Sequence, residues 1–202
     1  QITTLLGQNG AGKSTLLRLA AGTELPNSGI VSYQGQSLSS INFEFVHDIK
    51  FVHESMEIRV PMSFKNFINE FSKAIPNWNE LLFKKMVNDT KIDLSNNFTD
   101  YSRGQKMQLS LMMAIAARPK VLLLDEITSV IDVYGRRYFL DIINDLAKRG
   151  TSVVVTTNII NELEYYTNNL VILKDGKIEL NSPASQIPEN FIKLRKQTNE
   201  EH

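Results

Sequence analysis

Nine consecutive residues near the start of the chain, Gly7 to Thr15, read GQNGAGKST and bring three glycines, a lysine and two hydroxyls into one short segment. A residue without a Cβ lets successive backbone N–H groups turn inward around an anion. Gly7, Gly10 and Gly12 supply that freedom, and a helix beginning near Lys13 points its positive dipole end at the same anion. Lys13 is placed to reach the β and γ phosphates of a nucleoside triphosphate, and the Ser14 hydroxyl to ligate Mg²⁺. Every position of this phosphate-loop pattern is filled. Gln8, Asn9, Gly10, Ala11, Gly12, Lys13, Ser14 and Thr15 are therefore expected to bind the nucleotide. The plainer alternative is a glycine-rich turn followed by an accidental Lys-Ser.

Two further segments carry groups of the same chemistry. Val121-Leu122-Leu123-Leu124 is a continuous apolar run ending in Asp125-Glu126, the pattern of a strand covered on both faces. Such a strand presents its terminal carboxylates at the C-terminal edge of the sheet, where open α/β sheets bind ligands. Asp125 is expected to hold Mg²⁺, directly or through water, and Glu126 to polarise the water that attacks the γ-phosphate. Alone, the pair would read equally well as caps for the next helix. Tyr101-Ser102-Arg103-Gly104-Gln105 opens a helix, and Ser102 is a good N-cap, which by itself explains the segment.

The elements that must position these groups alternate. Ile2 to Leu6 reads as a strand and Lys13 to Ala21 as a helix stopped by Gly22. Short strands are expected at Ile30–Tyr33 and Ile49–Val52. Phe64, Phe67, Ile68 and Phe71 recur at helical spacing, as a core face or a docking face, the core face being favoured because such stripes are ordinary. Pro76 interrupts before a second helix from Asn77 to Asp89, and Ser102 to Ala117 forms a third. Gly135 to Arg149 is amphipathic, with Phe139, Ile142, Ile143 and Leu146 on one side. Ser152–Thr156 is a second buried strand, followed by a helix from Ile159 to Tyr166. Asp175-Gly176 between Leu170–Lys174 and Lys177–Leu180 signals a hairpin, and the polar tail after Pro188 a surface helix or frayed end. Strands alternating with helices predict an α/β fold with a parallel sheet.

The 202 residues, 42% of them hydrophobic, suffice for one globular domain with a buried core. Lys and Arg total 22 and so do Asp and Glu, so no global charge favours nucleic acid or an anionic membrane, and no nucleic-acid partner is expected. Without cysteine there can be no disulfide or thiolate metal site, which suits a reducing compartment. The longest uncharged apolar stretch, Leu109 to Ala117, falls short of the roughly 18 residues of a membrane helix. No basic and apolar leader opens the chain. Its start at Gln1, almost at the glycine loop, points to a missing upstream piece.

The glycine loop, then Ser-x-Gly-Gln opening a helix, then four apolar residues and Asp-Glu, together resemble the ATP-binding-cassette (ABC) ATPases. The resemblance covers essentially the whole chain. It implies a P-loop NTPase parallel sheet flanked by helices, with a small helical sub-domain inserted between the Q-loop and the signature motif. The single nucleotide-binding domain would then divide into a core, 1–60 and 118–202, and a helical sub-domain, about 61–117. Pro76-Asn77-Trp78 looks like part of that insertion. Ser102, Gly104 and Gln105 match the signature Leu-Ser-Gly-Gly-Gln, whose helix N-terminus donates to the γ-phosphate of ATP held by a facing second cassette. The dipole and Arg103 would both favour that anion. Ser129-Val130-Ile131-Asp132 looks like the D-loop, and Asn161-Glu162-Leu163-Glu164 and Leu173 to Lys177 like the closing segments.

Several positions depart from the family pattern. Tyr101 and Arg103 differ from the usual signature residues. Asn158 stands where a switch histidine is usual and can offer one neutral hydrogen bond but no cation, so some transition-state stabilisation should be lost. Glu54, 41 residues beyond Lys13, aligns with the Q-loop glutamine; it could ligate Mg²⁺ but cannot donate to water. A register one residue different would put His53 there. Ile127 and Val130 replace a usual Pro and Gly. The residue that stacks on adenine normally precedes the P-loop and is expected upstream of this chain.

The resemblance implies an ATP hydrolase with reduced turnover, using Glu126 and Asn158 catalytically and Ser14, Asp125 and Glu54 at the metal. It further implies a cytoplasmic subunit, peripheral at the inner face of the cell membrane, that pairs with a second cassette and drives a membrane-spanning transporter subunit. Two other readings remain: a regulatory subunit that binds ATP with almost no turnover, and a non-transport cassette acting on chromosomes or in translation. The latter usually carries a coiled-coil insertion, a second cassette or a basic arm, and none is visible.

Overall fold

The computed structural model describes residues 1–38, 45, 47–127, 130–158 and 163–187. In chain order these form β1 (Ile2–Leu6), α1 (Lys13–Ala20), a small hairpin of β2 (Ser32–Tyr33) and β3 (Gln36–Ser37), and β4 (Ile49–His53). Then follow α2 (Phe64–Lys73), α3 (Glu80–Thr90), α4 (Arg103–Ala116), β5 (Val121–Asp125), α5 (Val133–Lys148), β6 (Ser152–Thr157), β7 (Asn169–Lys174) and β8 (Lys177–Pro183). Among the described residues the main sheet runs β4-β5-β6-β1-β7-β8, with β8 alone antiparallel. A two-residue turn enforces that exception: Asp175 and Gly176 have φ of 49° and 74°, the backbone of a hairpin turn that reverses the chain at once.

Side-chain caps decide where several helices begin. Ser63, Asn79 and Asp132 accept from backbone N–H groups at the starts of α2, α3 and α5. For this reason the second helix starts at Glu80 rather than at Asn77, and α5 starts at Val133 rather than at Gly135. The strand expected at Ile30–Tyr33 shrinks to Ser32–Tyr33, because the chain turns at Gln34-Gly35 and pairs with Gln36–Ser37, leaving Ile30 exposed. The expected helix from Ile159 to Tyr166 and the segment from Asn161 begin outside the described residues. Leu163 to Tyr166 is a run of turns. The tail after Pro188 also lies outside them, as does Ser129 of the D-loop segment.

One apolar core joins the sheet to the helices. Leu122 and Leu124 of β5, Val153 and Val155 of β6, and Leu109 and Leu111 to Ala116 of α4 belong to the same buried cluster as Phe64, Phe83 and Phe98. The phenylalanine stripe of α2 faces inward. Phe67 stacks on Phe71 at 5.5 Å between ring centroids, Phe71 meets Trp78 edge-on, and Trp78 packs on Phe83. Across from them the Tyr138 phenol of α5 donates to Asp89 of α3 at 2.7 Å. Burial, then that hydrogen bond, holds the phenol well above its ordinary range.

The core role of the stripe has a direct test by urea denaturation. Phe64→Ala should cost about 3–5 kcal/mol, because Phe64 is almost completely buried among other rings. Leu81→Ala, on a side chain 82% exposed, should change stability by no more than about 0.5 kcal/mol.

Candidate active site

Parallel strands end on the same side of a sheet, and here four of them bring the candidate groups to one edge. His53 of β4 is level with Asp125 of β5, Leu124 with Val155 of β6, and Thr157 of β6 with Leu6 of β1. Read along that edge, the residues that follow are Glu54, then Asp125-Glu126, then Asn158, then the loop opened by Gly7. Residues far apart in sequence are thus neighbours by strand order alone.

The glycine loop is built as its sequence requires. Gly10 and Gly12 have φ of 83° and 101°, a left-handed backbone that side chains disfavour, and Gly12 is the N-cap of α1. Gly7 has no room for a side chain, since a Cβ there would lie 2.6 Å from the Leu173 carbonyl oxygen. The Gly176 N–H donates to the Ala11 carbonyl at 3.1 Å, so the β7–β8 hairpin tip props the loop from behind. Gln8, Asn9, Gly10 and Thr15 stay exposed, Ser14 is half-buried and Ala11 is buried.

Lys13 is only 4% exposed. Its ammonium donates to the Gly7 carbonyl at 2.8 Å and the Gln8 carbonyl at 3.1 Å, and lies 3.5 Å from Glu126 Oε1. Those three partners match the three donors of an ammonium. The charge sits inside the turn of the loop, where an entering phosphate would add to or replace the Glu126 carboxylate.

Asp125 and Glu126 are tied to β6 by a residue that the sequence reasoning passed over. The buried Thr156 hydroxyl donates to Asp125 Oδ1 at 2.6 Å and accepts from the Glu126 N–H at 2.9 Å. One side chain therefore fixes the aspartate carboxylate and the backbone that carries the glutamate. The signal was present: a hydroxyl at the end of a buried Val-Val-Val strand must find a polar partner. Glu126 itself has φ of 51°. A proline at 127 would disfavour a helical-type backbone in the residue before it, whereas the buried Ile127 leaves Glu126 this conformation.

The signature-like turn is a complete capping box. Ser102 Oγ accepts from the Gln105 N–H at 3.3 Å, and Gln105 Oε1 accepts from the Ser102 N–H at 3.0 Å. Helix geometry leaves the N–H groups of Arg103 and Gly104 without a carbonyl inside the helix. Gly104 is required by space, since a Cβ would lie 2.9 Å from the Val130 carbonyl. Tyr101 in place of the usual leucine is buried, and its hydroxyl donates to the Asp93 carbonyl at 2.6 Å. Arg103 forms an ion pair with Glu54. Glu54 follows directly on β4, and its carboxylate is engaged by the first residue of α4. His53 packs on Phe51 at 5.0 Å between centroids, and Asn158 is exposed just past β6. Asp132 caps α5 through the Tyr134 and Gly135 N–H groups.

The family model described as ABC transporter matches residues 1–129. The ABC transporter ATP-binding protein YtrB of Bacillus subtilis is 26% identical over 96% of this chain and 67% of its own length. Across the first three curated relatives the chain spans between 37% and 67% of their length. Among solved structures, an ATP-binding subunit of an ABC transporter superposes with a TM-score of 0.84 at 21% identity, over 95% of this chain and 82% of that one. A dimeric ATP-binding cassette in a post-hydrolysis state, bound to ADP and Pi, gives 0.78 at 19% identity, over 91% and 85%. The fold, the order of the motifs and the matched family agree, and the chain belongs to the ABC transporter family as an ATP-binding domain.

Proposed function

We propose that this domain binds ATP with Mg²⁺ and cleaves it slowly between two cassettes facing head to tail, and so powers a separate membrane-spanning subunit at the inner face of the cell membrane. The observation that carries the reading is the edge on which Lys13, Glu126 and Asp125 meet, with the Lys13 ammonium already held 3.5 Å from Glu126. Backbone N–H groups of Gly10 to Thr15 and the Lys13 ammonium take the phosphates. Ser14 and Asp125 supply the hard oxygens suited to Mg²⁺, which withdraws charge from the phosphate oxygens when bound. Glu126 orients and deprotonates the attacking water. Asn158 offers that site a neutral amide in place of a cationic switch, which limits the rate. Residues 61–117 act as a helical sub-domain carrying the Ser102–Gln105 turn toward the second cassette, whose chain is the same or a different one.

Among the described residues no helix is long and apolar enough to cross a membrane. That fits a partner chain that supplies the membrane passage. The second reading, a regulatory subunit with almost no turnover, draws on Asn158 and on the Glu54 carboxylate being engaged by Arg103.

Phosphate release by the intact protein tests the division between binding and cleavage. Glu126→Gln should lower turnover by roughly 10²-fold or more while ATP stays bound. Asn158→His should raise turnover about ten-fold by restoring a cationic group. Fast wild-type hydrolysis that Asn158→His leaves unchanged would reject the slow-cleavage account. Thr156→Val keeps the shape of the buried side chain but removes both hydrogen bonds. It should weaken Mg²⁺ affinity, so that more Mg²⁺ is needed for half-maximal rate, or lower turnover, by roughly 10- to 100-fold with the fold intact by circular dichroism.

A further inference from the structure

Two positions at which this chain departs from its family are in contact. On the proposed reading Arg103 stands at a neutral glycine position of the signature and Glu54 at the neutral Q-loop glutamine, and the two charges form one ion pair. The pair is neutral as a whole, so it leaves the net charge of the edge unchanged while it stays closed. Glu54 follows β4, whose last residue is level with Asp125, so its backbone lies at the sheet edge where the proposed function puts the metal. Arg103 is the first residue of α4, at the helix N-terminus that the proposed function turns toward the second cassette.

We propose that Glu54 is a positioning residue, an internal stand-in for a terminal phosphate, which holds Arg103 until ATP bound by a facing second copy takes the guanidinium over. The inference rests on the head-to-tail reading above. A guanidinium offers its N–H groups to carboxylate and phosphate oxygens with the same geometry, so the two anions compete for it. The grip is weak enough to break: Arg103 is 66% exposed and Glu54 33%, and ion pairs this wet contribute little. Once released, Glu54 is free to turn to the metal of its own site. While the pair is closed it is not. Arrival of ATP at one site is thereby linked to the carboxylate set of the other.

The test is a double-mutant cycle on ATP-driven self-association of the whole chain. All variants carry Glu126→Gln to keep the ATP uncut, and dimer formation with Mg²⁺ and ATP is read by sedimentation velocity. Glu54→Gln should strengthen association about three-fold per site by freeing Arg103, and more weakly at high salt. Arg103→Gly should weaken association, and adding Glu54→Gln to it should then have no further effect. Arg103→Lys should keep part of the Glu54 dependence. An unchanged or weakened Glu54→Gln dimer, or an effect that survives in Arg103→Gly, would overturn the exchange while leaving the dimer reading intact. No ATP-driven dimer in any variant would reject the head-to-tail reading itself, and the exchange with it. Thermal melting of the nucleotide-free variants separates either result from loss of fold.

Discussion

An ammonium withdrawn from water is costly unless its donors find partners. Lys13 meets that condition inside the loop that bears it, and much of the site can be read as the means. The Gly7 and Gln8 carbonyls reach the ammonium because left-handed glycines turn the loop back on itself. Glu126 reaches it because β5 ends beside β6, and β6 beside β1, all pointing the same way. The hairpin tip at Gly176 closes the loop from behind. A charge fixed in this way needs little rearrangement when phosphate arrives, which is how preorganised groups favour bound anions over free ones.

The same arrangement shows which parts of the molecule were legible in the sequence. Gly7 to Thr15 was legible because most of its geometry is local: Gly10 and Gly12 need only their own backbone freedom, although Gly7 is also required by the Leu173 carbonyl beside it. Val121 to Asp125 was legible because a strand covered on both faces leaves an unbroken apolar run. The spacing of the phenylalanine stripe of α2 fits a core face or a docking face, and the core face, favoured because such stripes are ordinary, is the one the packing shows. Thr156 was not recognised, because its partners Asp125 and Glu126 lie on another strand and nothing local marks the pairing. The Glu54–Arg103 pair was hidden for the same reason. Each residue looked like an isolated departure from a family pattern until the strand order brought them together. Ile30 shows the opposite error. Its apolar character suggested a strand, but among the described residues no strand pairs with it, and the turn at Gln34-Gly35 sets the actual hairpin.

The departures from the family pattern fall into physical groups. Tyr101 is a packing substitution, buried with its hydroxyl satisfied. Ile127 is a backbone substitution, leaving Glu126 a left-handed conformation that a following proline would resist. Arg103 at the signature turn and Glu54 beyond β4 are opposite charges that neutralise one another. Asn158, which the proposed function places at the switch position, is exposed just past β6. On the proposed reading, the phosphate loop keeps its pattern and the departures fall on the groups that would time cleavage.

The central claim is that ATP is held well and cut slowly, and a single-turnover experiment addresses it directly. The intact chain, in excess over radiolabelled ATP with Mg²⁺, is sampled for bound and for cleaved nucleotide in the same reaction. The account predicts that binding reaches completion first, followed by one slow cleavage phase that Glu126→Gln removes. Cleavage that keeps pace with binding would contradict it.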